Sequence, residues 1–265
     1  ATTQLNVWED IKKSSGIKEA VADFEKQYDV KVNVQETPYA QQLEKLRLDG
    51  PAGIGPDVLV IPNDQLGGAV VQGLLTPLNL EAKQTEQYTP ASINAFKMDN
   101  ALYGVPKAVE TLVLIYNKDL IDKPLNSLQD WYDFSKQQRA KNQYGLLAKF
   151  DQIYYSWGAI SPMGGYIFGH NDKGGYNASD VGLNKPGAVE AVTYLKKFYA
   201  DGIFPAGIVG DNGLNAIDSL FTEKKAAAVI NGPWAFQPYE EAGINYGVAP
   251  LPTLPDGKPM SSFLG

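Results

Sequence analysis

Cysteine is absent from the chain, and its only histidine, His170, lies among glycines and polar residues in "FGHNDKGG". These two facts remove disulfides, thiol nucleophiles and thiolate metal sites, and leave acid–base work to Asp and Glu. His170 itself reads as a loop residue. No phosphate-binding loop, nucleophile elbow, His-Glu-x-x-His helix or EF-hand loop occurs, and "GGAVVQG" reads as helix packing rather than a dinucleotide fingerprint. Catalytic residues, metal ligands and cofactors are therefore all expected to be absent. A pair of carboxylates flanking a glycosidic bond stays open as an alternative, because such a pair need not be close in sequence.

Aromatic residues carry more information. Tyr154, Tyr155 and Trp157 crowd into "DQIYYSWG", and Trp234 follows Pro233 in "INGPWAF". Proline suits the first turn of a helix, where its missing N–H has no partner to lose. Both stretches thus sit where a strand hands over to a helix. A sugar ring offers an apolar C–H face to an indole or phenol plane and a rim of hydroxyls to carboxylates, so aromatics together with acids fit carbohydrate. Polar candidates at strand ends are Asp64 and Gln65 in "PNDQLGG", Glu110 in "AVETL", and Asp10 with Lys12 and Lys13 in "WEDIKK". The competing reading makes the aromatics core and the charges solvated loop residues. Glu110 precedes the apolar run "TLVLIY", where an unpaired charge is costly, and is expected to face a polar cleft or an ion partner.

Elements that would position these residues follow from hydrophobic periodicity. "QLNVW" alternates as a strand, and Ile17, Ala20, Val21, Phe24 and Tyr28 share one face of a helix. "DVKVNVQ" alternates again, and the continuous apolar run Asp57 to Pro62 reads as a central strand of a parallel sheet. A second set of α/β units begins after Val109 to Thr111: strand "TLVLIY", a helix opened by Ser127 with Asp130 at capping spacing, strand "YGLLAKF", a long helix from Pro186, and strands "AAAVI" and Tyr246 to Ala249. Two crossings between lobes, one near residue 110 and one in "PLPTLPDGKP", imply a two-lobed α/β protein with a cleft beyond the strands' carboxyl ends.

With 265 residues, 44% hydrophobic content and a formal net charge of -7, the chain has the composition of an ordinary globular protein, and no Lys/Arg-rich block marks a nucleic-acid partner. No apolar stretch approaches the roughly 20 residues that cross a bilayer. "ATTQLNVW" lacks the features of a leader, and the apolar ending "SSFLG" suggests a chain that continues beyond Gly265.

Taken in order, "NDQLGGAVVQGLL", "AVETLVLIYNKDLI", "GGYIF", "DVGLNKPGA", "AAAVINGPWAF" and "NYGVAPLPT" resemble the bacterial extracellular solute-binding proteins for sugars, above all the maltose and maltodextrin-binding proteins of ABC importers. The resemblance implies a type II periplasmic-binding-protein-like fold, each lobe a mainly parallel sheet flanked by helices, with a hinge between lobes. The lobes are expected at 1–109, with 256–265 returning to it, and at 110–255, the remaining segments of both lying beyond residue 265. It further implies a non-enzymatic, monomeric protein outside the cytoplasm, periplasmic or lipid-anchored, that binds a linear α-glucan and delivers it to the permease subunits of an ABC importer. A glycoside hydrolase acting on α-glucans, or a binder of another small solute on the same fold, are the alternatives.

By resemblance Trp234 matches the family's stacking tryptophan, Tyr154 its cleft tyrosine, and Asp64 and Glu110 carboxylates that accept sugar hydroxyls; Tyr155 belongs to the same ligand-binding set. Asp10 and Lys12 or Lys13 match an adjacent Asp–Lys pair across a loop one residue shorter. The chain departs from the pattern at Ile61 and Gln65, where the family commonly has tryptophan and arginine, and at Gln152, which aligns with a glutamate. A further stacking tryptophan of the family lies beyond the end of this chain. Hydrogen bonds to charged groups contribute roughly 1.5–3 kcal/mol against 0.5–1.5 for neutral ones, so these departures imply weak affinity for maltose and preference for longer maltodextrins. Parallel titrations are expected to give tighter binding of maltotetraose than of maltose, and equal affinities would exclude that preference.

Overall fold

The computed structural model describes residues 3–265; Ala1 and Thr2, where the segment read as lacking a leader begins, lie outside the described residues. The chain divides into two compact units. The first holds the described residues up to Ala108 together with Lys173–Gly175 and Gly265, and the second holds Val109–Asp172 and Tyr176–Leu264.

In the first unit, strand β1 (Gln4–Glu9) leads through a 3-10 turn at Ser14–Ile17 into helix α1 (Lys18–Tyr28), then β2 (Lys31–Glu36) and α2 (Gln42–Asp49). A 3-10 turn at Asn63–Gln65 opens α3 (Leu66–Val71), followed by α4 (Ala82–Thr85), α5 (Pro90–Asn94) and the short pair β3 (Lys97–Met98) and β4 (Ala101–Leu102). β1 and β2 pair in parallel, with Leu5 opposite Val32 and Val7 opposite Val34, as the alternation of both strands requires. The apolar run Asp57 to Pro62 is not the central strand expected. It makes a single bridge, Val58 to Val7, and Val58 is 51% exposed. Pro56 and Pro62 bracket the run and offer no N–H to a ladder, while the Val60 N–H goes instead to the buried side chain of Gln42. α1 likewise covers less than its periodicity suggests: it contains no buried residue, and Phe24 and Tyr28 pair with each other at 4.7 Å on an exposed face.

The second unit runs β5 (Val113–Asn117), α6 (Leu128–Ala140), β6 (Tyr144–Leu147), α7 (Ile153–Ile160), the hairpin β7 (Tyr166–His170) and β8 (Tyr176–Gly182), α8 (Pro186–Ala200), α9 (Gly213–Thr222), β9 (Ala226–Asn231), α10 (Phe236–Glu241) and β10 (Tyr246–Ala249). Its sheet has the order β10-β5-β9-β6. Only β6 and β9 are parallel; β5 runs antiparallel to both β9 and β10. The mainly parallel sheet expected for this lobe is therefore corrected to a mixed one. A parallel pair needs a crossover connection. β6 reaches its parallel partner β9 through α7, α8 and α9, whereas β5 lies between β9 and β10 and is antiparallel to both.

Two further expectations change. His170 is not a loop residue: it ends β7 and stacks on Tyr176 across the hairpin at 5.0 Å. Residues 256–264 group with the second unit rather than the first. Their chain turns at Gly257, returns along Pro252 through a Met260 N–H bond, and is pinned to α7 by Ser261 N–H to Gly158 O at 3.0 Å.

β9 is buried along its whole length, with Leu114, Ile115, Leu146, Leu147, Phe198, Ile217 and Phe221 in the core around it. Ser127 caps α6 by accepting the Asp130 N–H at 3.0 Å. About two turns further on, the buried Ser135 side chain accepts the Leu146 N–H of β6 at 2.9 Å, across a contact so close that a Cβ on Gly145 would fall 2.3 Å from its oxygen. Replacing Ser135 with Ala leaves the Leu146 N–H buried without a partner. Urea unfolding of Ser135→Ala is expected to show a loss of about 1–3 kcal/mol.

Candidate functional site

The second unit presents a row of aromatic rings at the carboxyl end of its sheet. α7 starts at Ile153, just after β6, and brings Tyr154 to the surface within its first turn. The 3-10 turn Pro233–Ala235 follows β9 and lifts Trp234, 43% exposed, beside it. Their ring centroids are 6.4 Å apart at 48°, a tilted pair rather than a closed stack. On its other side Tyr154 stacks on Phe263 at 5.7 Å, and Phe263 stacks on Trp157 at 5.2 Å with planes 9° apart. Offset and tilted rings at these separations attract one another by about 0.5–1.5 kcal/mol beyond their burial, so the row holds its own shape. Phe263 escaped the sequence reading: it belongs to the apolar ending "SSFLG", and only the pinning of Ser261 to α7 brings it here.

Tyr155 is corrected from a ligand contact to a core residue. It is only 4% exposed, since successive residues on a helix point about 100° apart and α7 turns it inward as it turns Tyr154 outward. Burial pushes its phenol up to about 12, with Tyr154 and Asp218 adding to the effect. Burial, and then the nearby Glu110 carboxylate, raise the Tyr154 phenol as well, so at neutral pH it is a protonated donor. Glu110 is exposed, so solvent rather than an ion partner accommodates its charge. Gln152 is exposed at the N-cap of α7 and makes no side-chain capping bond. Beside it, burial would raise the Asp151 carboxyl, but the Gly210 N–H at 3.0 Å and the buried Lys149 ammonium at 2.6 Å outweigh burial and hold it below the usual range.

Beneath Trp234 lies a polar triangle. Asn231 accepts the Gly232 N–H at 2.9 Å and donates to Asp218 at 3.2 Å and to the Tyr239 phenol at 3.1 Å, while Tyr239 donates to Asp218 at 2.6 Å. Burial raises the Asp218 carboxyl more than the Tyr239 hydrogen bond lowers it.

The remaining candidates belong to the first unit. Asp64 is exposed, and with Gln65, Glu44, Arg47 and Gln72 it lines a surface depression of about 310 Å³. Arg47 pairs with Glu44 there, and the side-chain oxygen of Gln65 is buried without a hydrogen-bond partner. Asp10 is half-buried and holds its own loop, accepting the N–H groups of Ile11 and Tyr39 at 2.9 Å each. Lys12, with φ of 63°, and Lys13 are exposed on that loop. Sequence reasoning missed Glu9, which is 2% exposed, pairs with Lys107 and accepts the Asp10 N–H at 2.8 Å. Its one signal is a carboxylate next to Trp8 at the end of a strand, the only part of β1 that is buried. Among the described residues no group of three or more His, Asp or Glu is placed to hold a metal, and no helix is long and apolar enough to cross a membrane.

A family model described as bacterial extracellular solute-binding protein matches residues 19–265. The galactooligosaccharide-binding protein of Bacillus subtilis (strain 168) is 56% identical over 265 residues, 99% of this chain and 63% of its own length. The maltodextrin-binding protein MdxE of the same organism is 40% identical over 249 residues, 91% of this chain and 58% of its own. This chain thus spans less than two thirds of the length of either relative. Among solved structures, a cyclo/maltodextrin-binding protein complexed with maltotetraose superposes with a TM-score of 0.92 at 34% identity, over 100% of this chain and 69% of that one. The maltose-binding periplasmic protein MalE of Listeria monocytogenes, in complex with maltose, gives 0.90 at 39% identity over 99% and 68%.

A raised folded-state pKa means that the native chain holds the Asp218 proton more tightly than the unfolded chain. Its charge therefore costs stability at neutral pH, and the cost fades as pH falls through the folded pKa toward the ordinary carboxylate value. Asp218→Asn, which keeps an oxygen for Tyr239, is expected to melt above wild type at pH 7, with the gap narrowing toward pH 4 in thermal scans.

Proposed function

The chain belongs to the bacterial extracellular solute-binding protein family, and on that premise we propose that it binds a neutral oligosaccharide outside the cytoplasm and hands it to the permease subunits of an ABC importer, without turning it over. The observation that carries this reading is the Tyr154–Trp234 pair: an exposed indole tilted beside a half-buried phenol ring, with the Glu110 carboxylate near the phenol. A hexose face covers such planes while its hydroxyls meet the acid and the phenol. Asp64, Gln65, Asp10, Lys12 and Lys13 are proposed as the polar contacts supplied by the first unit, and Gln152 as a neutral contact beside Tyr154. The protein acts as a monomer, periplasmic or held at the cell surface by a lipid.

Galactooligosaccharide is the leading ligand, supported by the 56% identity to the Bacillus subtilis galactooligosaccharide-binding protein against 40% to MdxE. The axial hydroxyl of galactose also leaves a broader C–H patch on one face, which suits an indole. Maltodextrin is the second reading, favoured by the likeness to the maltotetraose complex.

Parallel titrations with galactotetraose and maltotetraose, followed by tryptophan fluorescence and calorimetry, are expected to give saturable binding with galactotetraose the tighter ligand. Reversed order would favour the second reading, and silence with both would exclude oligosaccharide binding. Trp234→Ala is expected to weaken binding by about thirtyfold, or about 2 kcal/mol, as loss of a central aromatic anchor does. Its melting temperature should stay near wild type because the ring lies on the surface, outside the buried core.

A further inference from the structure

Asn231 is the last residue of β9 and only 2% exposed, yet its side chain serves the surface turn above it. Its carbonyl oxygen holds the Gly232 N–H, and its amide nitrogen is held in turn by Asp218 of α9 and Tyr239 of α10. Three elements therefore fix one backbone N–H. Over that backbone lies the Trp234 ring: a Cβ built on Gly232 would fall 2.2 Å from each of two indole carbons, and its three nearest neighbours all belong to Trp234. Gly232 has φ of -114° and ψ of 179°, values open to any residue. Glycine is thus required by the indole and not by the backbone. Asp218 also acts electrostatically on Tyr155, whose ring meets that of Tyr154 edge-on at 5.4 Å. One half-buried carboxylate consequently stands behind both the exposed indole and the half-buried Tyr154 ring.

We propose that Asp218, acting through Asn231 and Tyr239, is a positioning residue that seats the Trp234 indole against Gly232 and thereby sets oligosaccharide affinity without touching the ligand. The proposal rests on the oligosaccharide reading above for its ligand, but not for the seating of the ring.

The test compares wild type, Gly232→Ala, Asp218→Ala and Asp218→Asn as full chains, with two readouts. The first needs no ligand: the near-ultraviolet circular dichroism of Trp234, taken as the difference between each background and the same background carrying Trp234→Phe. The second is affinity for galactotetraose and maltotetraose. Gly232→Ala and Asp218→Ala are expected to reduce the Trp234 signal by half or more and to weaken binding by about tenfold. Asp218→Asn, whose amide oxygen still accepts from Tyr239, is expected to recover affinity to within about threefold of wild type. Unchanged Trp234 signals in both Gly232→Ala and Asp218→Ala overturn the proposal, as does an Asp218→Asn variant that binds as weakly as Asp218→Ala. Should Asp218→Ala fail to fold, Gly232→Ala decides, because the three atoms nearest its added methyl group all belong to the indole. If wild type binds neither sugar, the functional reading fails and the dichroism decides the seating of the ring by itself.

Discussion

Complete burial of β9 is the constraint on which the second unit depends. Every residue from Ala226 to Asn231 is covered, so the strand must be small and apolar until it can turn, and the first residue able to turn tightly under an aromatic ring is Gly232. A polar side chain at the strand's end is tolerable only if it is fully bonded, and Asn231 is, through both its oxygen and its nitrogen. The exposed indole is therefore a consequence of the core beneath it. The same logic holds after β6, where the buried Lys149 follows the strand's end at Leu147 and the chain then brings Asp151, Gln152 and Tyr154 toward the surface.

Much of this was legible because it is local. Strand alternation in β1 and β2, the capping serine of α6, the long helix from Pro186 and the strand–turn–helix setting of Trp234 all depend on neighbours within a few positions. What escaped depends on partners far along the chain. Asp57 to Pro62 has the composition of a central strand, but flanking prolines and the Gln42 amide claim its backbone. Tyr155 and Tyr154 are chemically alike, and only the rotation of α7 separates core from surface. Phe263 has no local signal, because its place in the aromatic row is fixed by a hydrogen bond from Ser261 to Gly158. Glu9 was obscured for the opposite reason: strand alternation assigns Trp8 and Glu9 to opposite faces, yet both are buried, the carboxylate being satisfied by Lys107 and by a backbone N–H.

The two units solve the burial problem differently. The second has a continuous core that includes Trp131, Phe198, Phe221 and Tyr239, whereas α1 of the first keeps Phe24 and Tyr28 in solvent and its sheet has two strands. Small cores depend more heavily on polar fastening. In the first unit that fastening is visible in Gln42, which bonds both Thr37 and Val60, and in the Asp10 carboxylate, which gathers two N–H groups from separate segments.

The mixed sheet has a kinetic side. β5 finds no partner among its near neighbours: Val113 pairs with Asn231, and Tyr116 pairs with Gly247. Contacts so distant in sequence must be closed against chain entropy before they give any return. At the ~5–20 residues per second of synthesis, seconds separate the appearance of β5 from that of the strands on either side of it. During that interval Leu114 and Ile115, which end with no solvent contact at all, lack the strands that flank them in the sheet. The order of strands along the chain thus leaves β5 unpaired until β9 and β10 have been made, more than a hundred residues after it.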